Sequence, residues 1–138
     1  MRNVNDIRTG RHCVFRIHVH LVFVTKYRRG VFTKAILDDL RAIFTNVCAD
    51  FEAELVEFYG EDDHVHLMLT YAPKISVSSL VNSLKGVSSR LIRKKHYPAL
   101  GKKLWGNSLW SPSYFAGSCG GESIAIVRQY VESQRASG

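Results

Sequence analysis

Two pairs of histidines are placed where they could do chemistry. The tetrapeptide HVHL begins at His18, inside FRIHVHLVFVTKYRR, and again at His64, inside EDDHVHLMLT. Both copies alternate apolar and polar residues as a strand does, so His18 and His20 share one face, as do His64 and His66. Val19, Leu21 and Phe23 in the first copy, and Val65, Leu67 and Leu69 in the second, supply the opposite, buried faces. Further along, Tyr130 and Gln134 sit one helical turn apart in ESIAIVRQYVESQ and project together. Two neutral imidazoles and a side-chain oxygen can hold a divalent ion and still leave positions for phosphate oxygens. A tyrosine hydroxyl, with an ordinary pKa of about 10, attacks only once its proton is removed or its phenolate stabilised. This set of groups suggests phosphodiester chemistry through a covalent phosphotyrosine, a step that conserves bond energy. Taken singly the signals are weak: an HxH strand is more often a solvated pair, and a tyrosine beside an apolar stripe is more often core.

The elements that must position these groups alternate between a period of two and a period of three to four, the pattern of an α+β domain. After the first HVHL strand, Ile36, Leu37, Leu40, Ile43, Phe44, Val47 and Cys48 predict an amphipathic helix from Lys34 to Ala49. AELVEFYG reads as a second strand, and Glu61, Asp62 and Asp63 as an acidic turn leading into the HVHLMLT strand, its hairpin partner. Val77, Leu80, Val81, Leu84, Val87 and Leu91 mark a second helix. A last strand falls within LWGNSLWSPSYFAGSCGG, and a closing helix spans about residues 122–135. The order β-α-β-β-α-β-α matches a ferredoxin-like antiparallel sheet, also called RRM-like, with the first and third strands at its centre. In that arrangement the helices cover one sheet face and both histidine pairs lie on the other. Gly117, Gly120 and Gly121 read as a hinge or tight turn between the last strand and the tyrosine helix.

Composition sets the wider limits. A chain of 138 residues, 46% of them hydrophobic, is one domain over 1–138 with a core of its own. Lys+Arg 19 against Asp+Glu 12 gives a formal charge of +7, which suits a polyanion such as nucleic acid. The first residues form no signal-peptide apolar region and no run is long enough to span a membrane, so a cytoplasmic protein with no membrane partner is expected. Cys13, Cys48 and Cys119 are odd in number and widely spaced, which argues against a disulfide framework or a zinc site.

Taken in order, HLVFVTKYRR, GEDDHVHLML, LVNSLKGVSSR, LWSPSYFAGSCGG and VRQYVESQ resemble the single-tyrosine HUH transposases of the insertion-sequence 200/605 type, over nearly the whole chain. HUH denotes histidine, a hydrophobic residue, histidine. The resemblance implies that His64 and His66 are metal ligands, Gln134 the third ligand, and Tyr130 the nucleophile. It therefore selects the second HVHL; the first belongs to the strand running into KYRR, where His20, like Asp63, stands as a candidate supporting residue behind the ligands. It further implies Mg²⁺ or Mn²⁺ as cofactor, single-stranded DNA bearing hairpins as substrate, and a homodimer. Lys26, Arg28, Arg29, Lys85, Arg90, Arg93 and Lys94 are candidate phosphate contacts by charge and position. A two-histidine phosphoesterase is excluded, because its paired H-x-[ST] motifs are absent. Two alternatives remain: a domesticated relative that processes genomic hairpins, and a non-catalytic module that stacks bases on an open sheet.

Overall fold

The computed structural model describes residues 16–95, 97, 98, 100 and 109–118. β1 (Ile17–Thr25) runs into a 3-10 turn (Lys26–Arg28), then α1 (Lys34–Asp50), β2 (Glu54–Gly60), β3 (His64–Tyr71), α2 (Val77–Lys94) and β4 (Trp110–Ser118). The four strands form one sheet in the order β2-β3-β1-β4, and each neighbouring pair is antiparallel. This is the ferredoxin-like α+β arrangement expected from the sequence, with β1 and β3 central. Both predicted helices start where the periodicity places them and run slightly past its last apolar residue. The predicted closing helix, with Tyr130 and Gln134, lies outside the described residues, as do Cys13 and Cys119.

Local signals fix the helix starts. The Thr33 side chain accepts from the Ile36 amide at 3.3 Å, and that of Ser76 accepts from the Ser79 amide at 3.3 Å; each satisfies a first-turn amide with no partner inside its helix. α1 buries Ile36, Leu40, Phe44, Val47 and Cys48, and α2 buries Leu80, Val81, Leu84, Ser88 and Ile92. These stripes pack on Val19, Leu21 and Phe23 of β1 and Val65, Leu67 and Leu69 of β3 in one core. Trp110 enters this core from β4, edge-on to Phe23 and Phe32, and its indole N–H donates to Ser88 Oγ at 2.9 Å. That bond explains why a serine occupies the apolar stripe of α2: it satisfies the buried indole.

Because the core takes one face of the sheet, alternation sends the histidines to the other. Antiparallel partners point to the same side, and the register pairs His18 with Thr70, His20 with Met68, Val22 with His66 and Val24 with His64. β4 adds Phe115 opposite Val22 and Gly117 opposite His20. Gly117 is therefore part of a strand and not of the hinge that its sequence neighbourhood implied. A Cβ there would come within 2.7 Å of Phe115 Cζ, so the Phe115 ring fills the space a side chain would need. Gly120 and Gly121 lie outside the described residues. No described helix is long and apolar enough to cross a membrane.

Candidate metal and DNA site

The second HVHL opens β3 directly after the acidic turn, and that turn is firmly held. The Asp62 carbonyl accepts from the Val31 and Phe32 amides, both at 2.9 Å, and the Asp63 carbonyl accepts from the Thr25 amide at 2.9 Å. Asp63 is thereby fixed beside the end of β1, with its side chain buried. One carboxylate oxygen lies 2.7 Å from His64 Nδ1, and the other forms an ion pair with Arg28 Nε at 3.4 Å. A carboxylate can only accept, so Nδ1 donates, and in a neutral imidazole Nε2 then has the lone pair that a metal would take. The His64 and His66 rings are 5.0 Å apart and edge-to-face. On the far side of His66 the Tyr59 ring lies 5.7 Å away, and the Tyr59 hydroxyl donates to the Glu61 carboxylate.

The two imidazoles fit a divalent ion. Both are buried, adjacent and on one face, and His64 carries the carboxylate partner that sets its tautomer. Among the described residues no third His, Cys, Asp or Glu joins them as a metal-holding cluster. Gln134, the third ligand expected from sequence, is of another residue type and lies outside the described residues.

The first HVHL divides. His18 is exposed at the opposite end of the face, next to Thr70, whose hydroxyl accepts from Arg16 Nε at 3.2 Å. His20 is buried, and its strand position is two residues from that of Val22, the partner of His66. That separation is about 7 Å along the strand, so His20 is the diagonal neighbour of the candidate metal site.

The basic candidates separate into two groups. Lys26, Arg28 and Arg29 follow β1 at the end of the sheet where His64 begins β3. Arg28 is engaged by Asp63, a role that its charge alone does not announce. Lys85, Arg90, Arg93 and Lys94 lie on α2, in the helical layer on the other side of the sheet. Lys94 lines a groove between the helices with Leu91 and Asp39. Lys85, a candidate phosphate contact, is engaged by the protein itself. Its ammonium donates to the carbonyls of Ser111 at 2.6 Å and Ser113 at 3.1 Å, and it lies 5.4 Å from the Tyr114 ring centroid. Desolvation there lowers its pKa.

The profile of the family described as "Transposase IS200 like" matches residues 13–134. The chain belongs to the IS200-like transposases. It is 34% identical over 129 residues to the ISDra2 transposase TnpA of Deinococcus radiodurans, covering 94% of this chain and 91% of that protein. It is 28% identical to the transposase for insertion sequence element IS200 of Salmonella typhimurium, covering 95% and 85% of the two chains. The crystal structure of a candidate transposase from Deinococcus radiodurans R1 superposes with a TM-score of 0.73 at 32% identity, over 88% of this chain and 92% of that one. The structure of a REP-associated tyrosine transposase bound to a REP hairpin shares the fold, with a TM-score of 0.57 at 16% identity over 83% and 62% of the chains. In this IS200-like transposase, the residues that sequence reasoning passed over are Tyr59, Glu61 and the Arg28–Asp63 link. Tyr59 was the one within reach of the alternation: counting back across the acidic turn in a hairpin brings it opposite His66.

Proposed function

We propose that this chain cleaves and rejoins single-stranded DNA at hairpin-marked ends of a mobile element, through a 5′-phosphotyrosine at Tyr130. The observation that carries the reading is the buried His64–His66 pair with Asp63 bound to His64 Nδ1, an arrangement that sets two imidazoles side by side and orients one of them. His64, His66 and Gln134 would hold Mg²⁺ or Mn²⁺, which when bound supplies Lewis-acid polarisation of the scissile phosphate. Asp63 keeps His64 in the ligating tautomer and Arg28 holds Asp63 in place. The Tyr130 oxygen gives up its proton and bonds to phosphorus while the bond from phosphorus to the 3′ oxygen breaks, and the leaving oxygen takes a proton to become a 3′ hydroxyl. Rejoining is the reverse step with a new 3′ hydroxyl, which needs no nucleotide cofactor. Lys26 and Arg29, which follow β1 at this end of the sheet, would meet phosphates.

Two further elements belong to the same reading: hairpin DNA as the recognised form, and assembly as a homodimer. Supporting the hairpin is the shared fold with a tyrosine transposase bound to a REP hairpin. Supporting mobility over a domesticated hairpin processor is the higher identity to two insertion-element transposases. The test is incubation with hairpin-bearing single-stranded DNA from the flanks of the gene, with Mg²⁺, followed by a denaturing gel. A protein–DNA adduct that Tyr130→Phe loses while still binding the hairpin is the expected result. An adduct of normal yield in Tyr130→Phe moves the nucleophile elsewhere, and DNA binding without any adduct favours the non-catalytic module.

A further inference from the structure

The turn after β1 holds an aromatic ring out in water by means of an unfavourable backbone. Tyr27 has φ 62° and ψ 20°, and Arg28 has φ 54°; both are non-glycine residues in the left-handed region. The turn is tied on several sides. Thr25 Oγ1 donates to the Arg29 carbonyl at 2.7 Å, the Thr25 amide to Asp63 at 2.9 Å and the Lys26 amide to Leu109 at 3.0 Å. Yet the ring it presents is 74% exposed, the most exposed of the large hydrophobic side chains described. Packing does not account for such a placement. Lys26 Nζ stands 5.5 Å from the ring centroid, and Arg29 beyond it is exposed. The next residue, Arg28, connects through Asp63 to His64.

We infer that Tyr27 is a base-stacking platform that receives an unpaired nucleobase of the strand entering the His64–His66 site, with Lys26 and Arg29 on the flanking phosphates. The inference rests on the proposal that the site acts on single-stranded DNA. An aromatic ring between cations matches what a single strand offers, a π-face on each base and a charge on each phosphate. Among the described residues the sheet face beside the site offers less, because His20, His64 and His66 are buried there and Phe115 is half-buried against Val22. The ties hold the backbone that carries the ring, so the turn itself need not be ordered when a base arrives.

Fluorescence anisotropy of labelled oligo(dA) and of an abasic oligomer of equal length tests this, because the two differ in bases and share their phosphates. Wild-type protein is expected to prefer oligo(dA) by about 5- to 100-fold, the scale of one base stacked on an aromatic ring. Tyr27→Gly should bring the preference to within about twofold, and Tyr27→Trp should keep it. The steepness of the salt dependence should not change in Tyr27→Gly, since no phosphate contact is removed. Glycine suits the left-handed backbone, so the melting temperature of Tyr27→Gly should hold or rise, whereas a structural tyrosine would lower it. Tyr27→Asn, whose side chain also tolerates this conformation, is the second variant should the glycine loosen the turn. A base preference retained in both variants overturns the inference, as does a wild-type protein that fails to bind oligo(dA) or treats the two oligomers alike. Adduct formation is read separately. An adduct with no Tyr27-dependent preference sinks the platform alone, and a Tyr27-dependent preference with no adduct sinks the cleavage chemistry and leaves the platform standing.

Discussion

Two copies of HVHL lie on the same face of the same sheet, in the two central strands, and their surroundings differ throughout. His64 stands at the first residue of β3, next to a turn whose carboxylate binds it, and His66 follows against the Tyr59 ring. His18 stands near the start of β1, and because β1 and β3 are antiparallel, that start is the far end of the face. The partner of His64 is Val24, six residues along β1 from His18, or about 20 Å of strand. The difference teaches that what precedes a histidine pair sets its surroundings: EDD supplies a carboxylate, Asp63, at His64, whereas FRI supplies none at His18. Only His20 comes near the site from the first copy, as a buried diagonal neighbour of His66.

Breaking the second pair should have the largest effect. His64→Ala or His66→Ala is expected to cut adduct yield by more than about a hundredfold, beyond the range for residues behind metal ligands. Mn²⁺ titration followed by electron paramagnetic resonance should show weakened binding with circular dichroism unchanged. Loss of Mn²⁺ binding in His18→Ala with normal binding in His64→Ala would reverse the comparison. Next comes Asp63→Ala, which removes the acceptor at His64 Nδ1 and should weaken Mn²⁺ by about 10- to 100-fold. An unchanged Mn²⁺ affinity in this variant would mean that the carboxylate does not prepare the ligand.

The first pair should then split as its burial does. His20→Ala is expected to lower stability by roughly 1–3 kcal/mol in urea unfolding, with Mn²⁺ affinity little changed, because a buried ring is lost. His18→Ala should stay within about 0.5 kcal/mol of wild type and cleave normally, as befits an exposed strand residue. Confined to alkaline pH is an effect on the opposite, helical side of the sheet. Burial pushes the Cys48 thiol up to about 11 from 9.0. The unfolded thiol ionises first, so its contribution is complete below pH 9.0 and is lost as pH rises towards about 11. Cys48→Ala should flatten that part of the stability–pH curve, and parallel curves for the two proteins would remove the thiol as its cause.

Much of the fold was legible because single-residue alternation and helical spacing are local properties. The α1 stripe from Ile36 to Cys48 and the α2 stripe from Val77 to Leu91 needed no knowledge of what they pack against. The β2–turn–β3 hairpin followed from two alternating runs around three acidic residues. Positive charge was less informative, since Lys26 and Lys85 look alike in sequence. One stands beside the His64 end of the sheet, whereas the other is drawn half-buried onto two β4 carbonyls. Gly117 misled for a related reason: its need for glycine comes from the Phe115 ring two residues away folding over it, a contact that no local turn rule contains.

The sequence by itself determined the element order, the face on which each histidine lies and the family-specific segments, because these depend on periodicity and on residues near one another along the chain. Only the tertiary structure decided that Asp63 bridges Arg28 and His64, that His18 and His64 stand at opposite ends of one face, and that Tyr27 is held in water on a left-handed turn. Each of these depends on strand register and on how the KYRR turn docks against the acidic turn. Residues some 35 positions apart are brought within hydrogen-bonding or ion-pairing range there by backbone bonds such as Thr25 to Asp63, and contacts of that range leave no local mark in the chain.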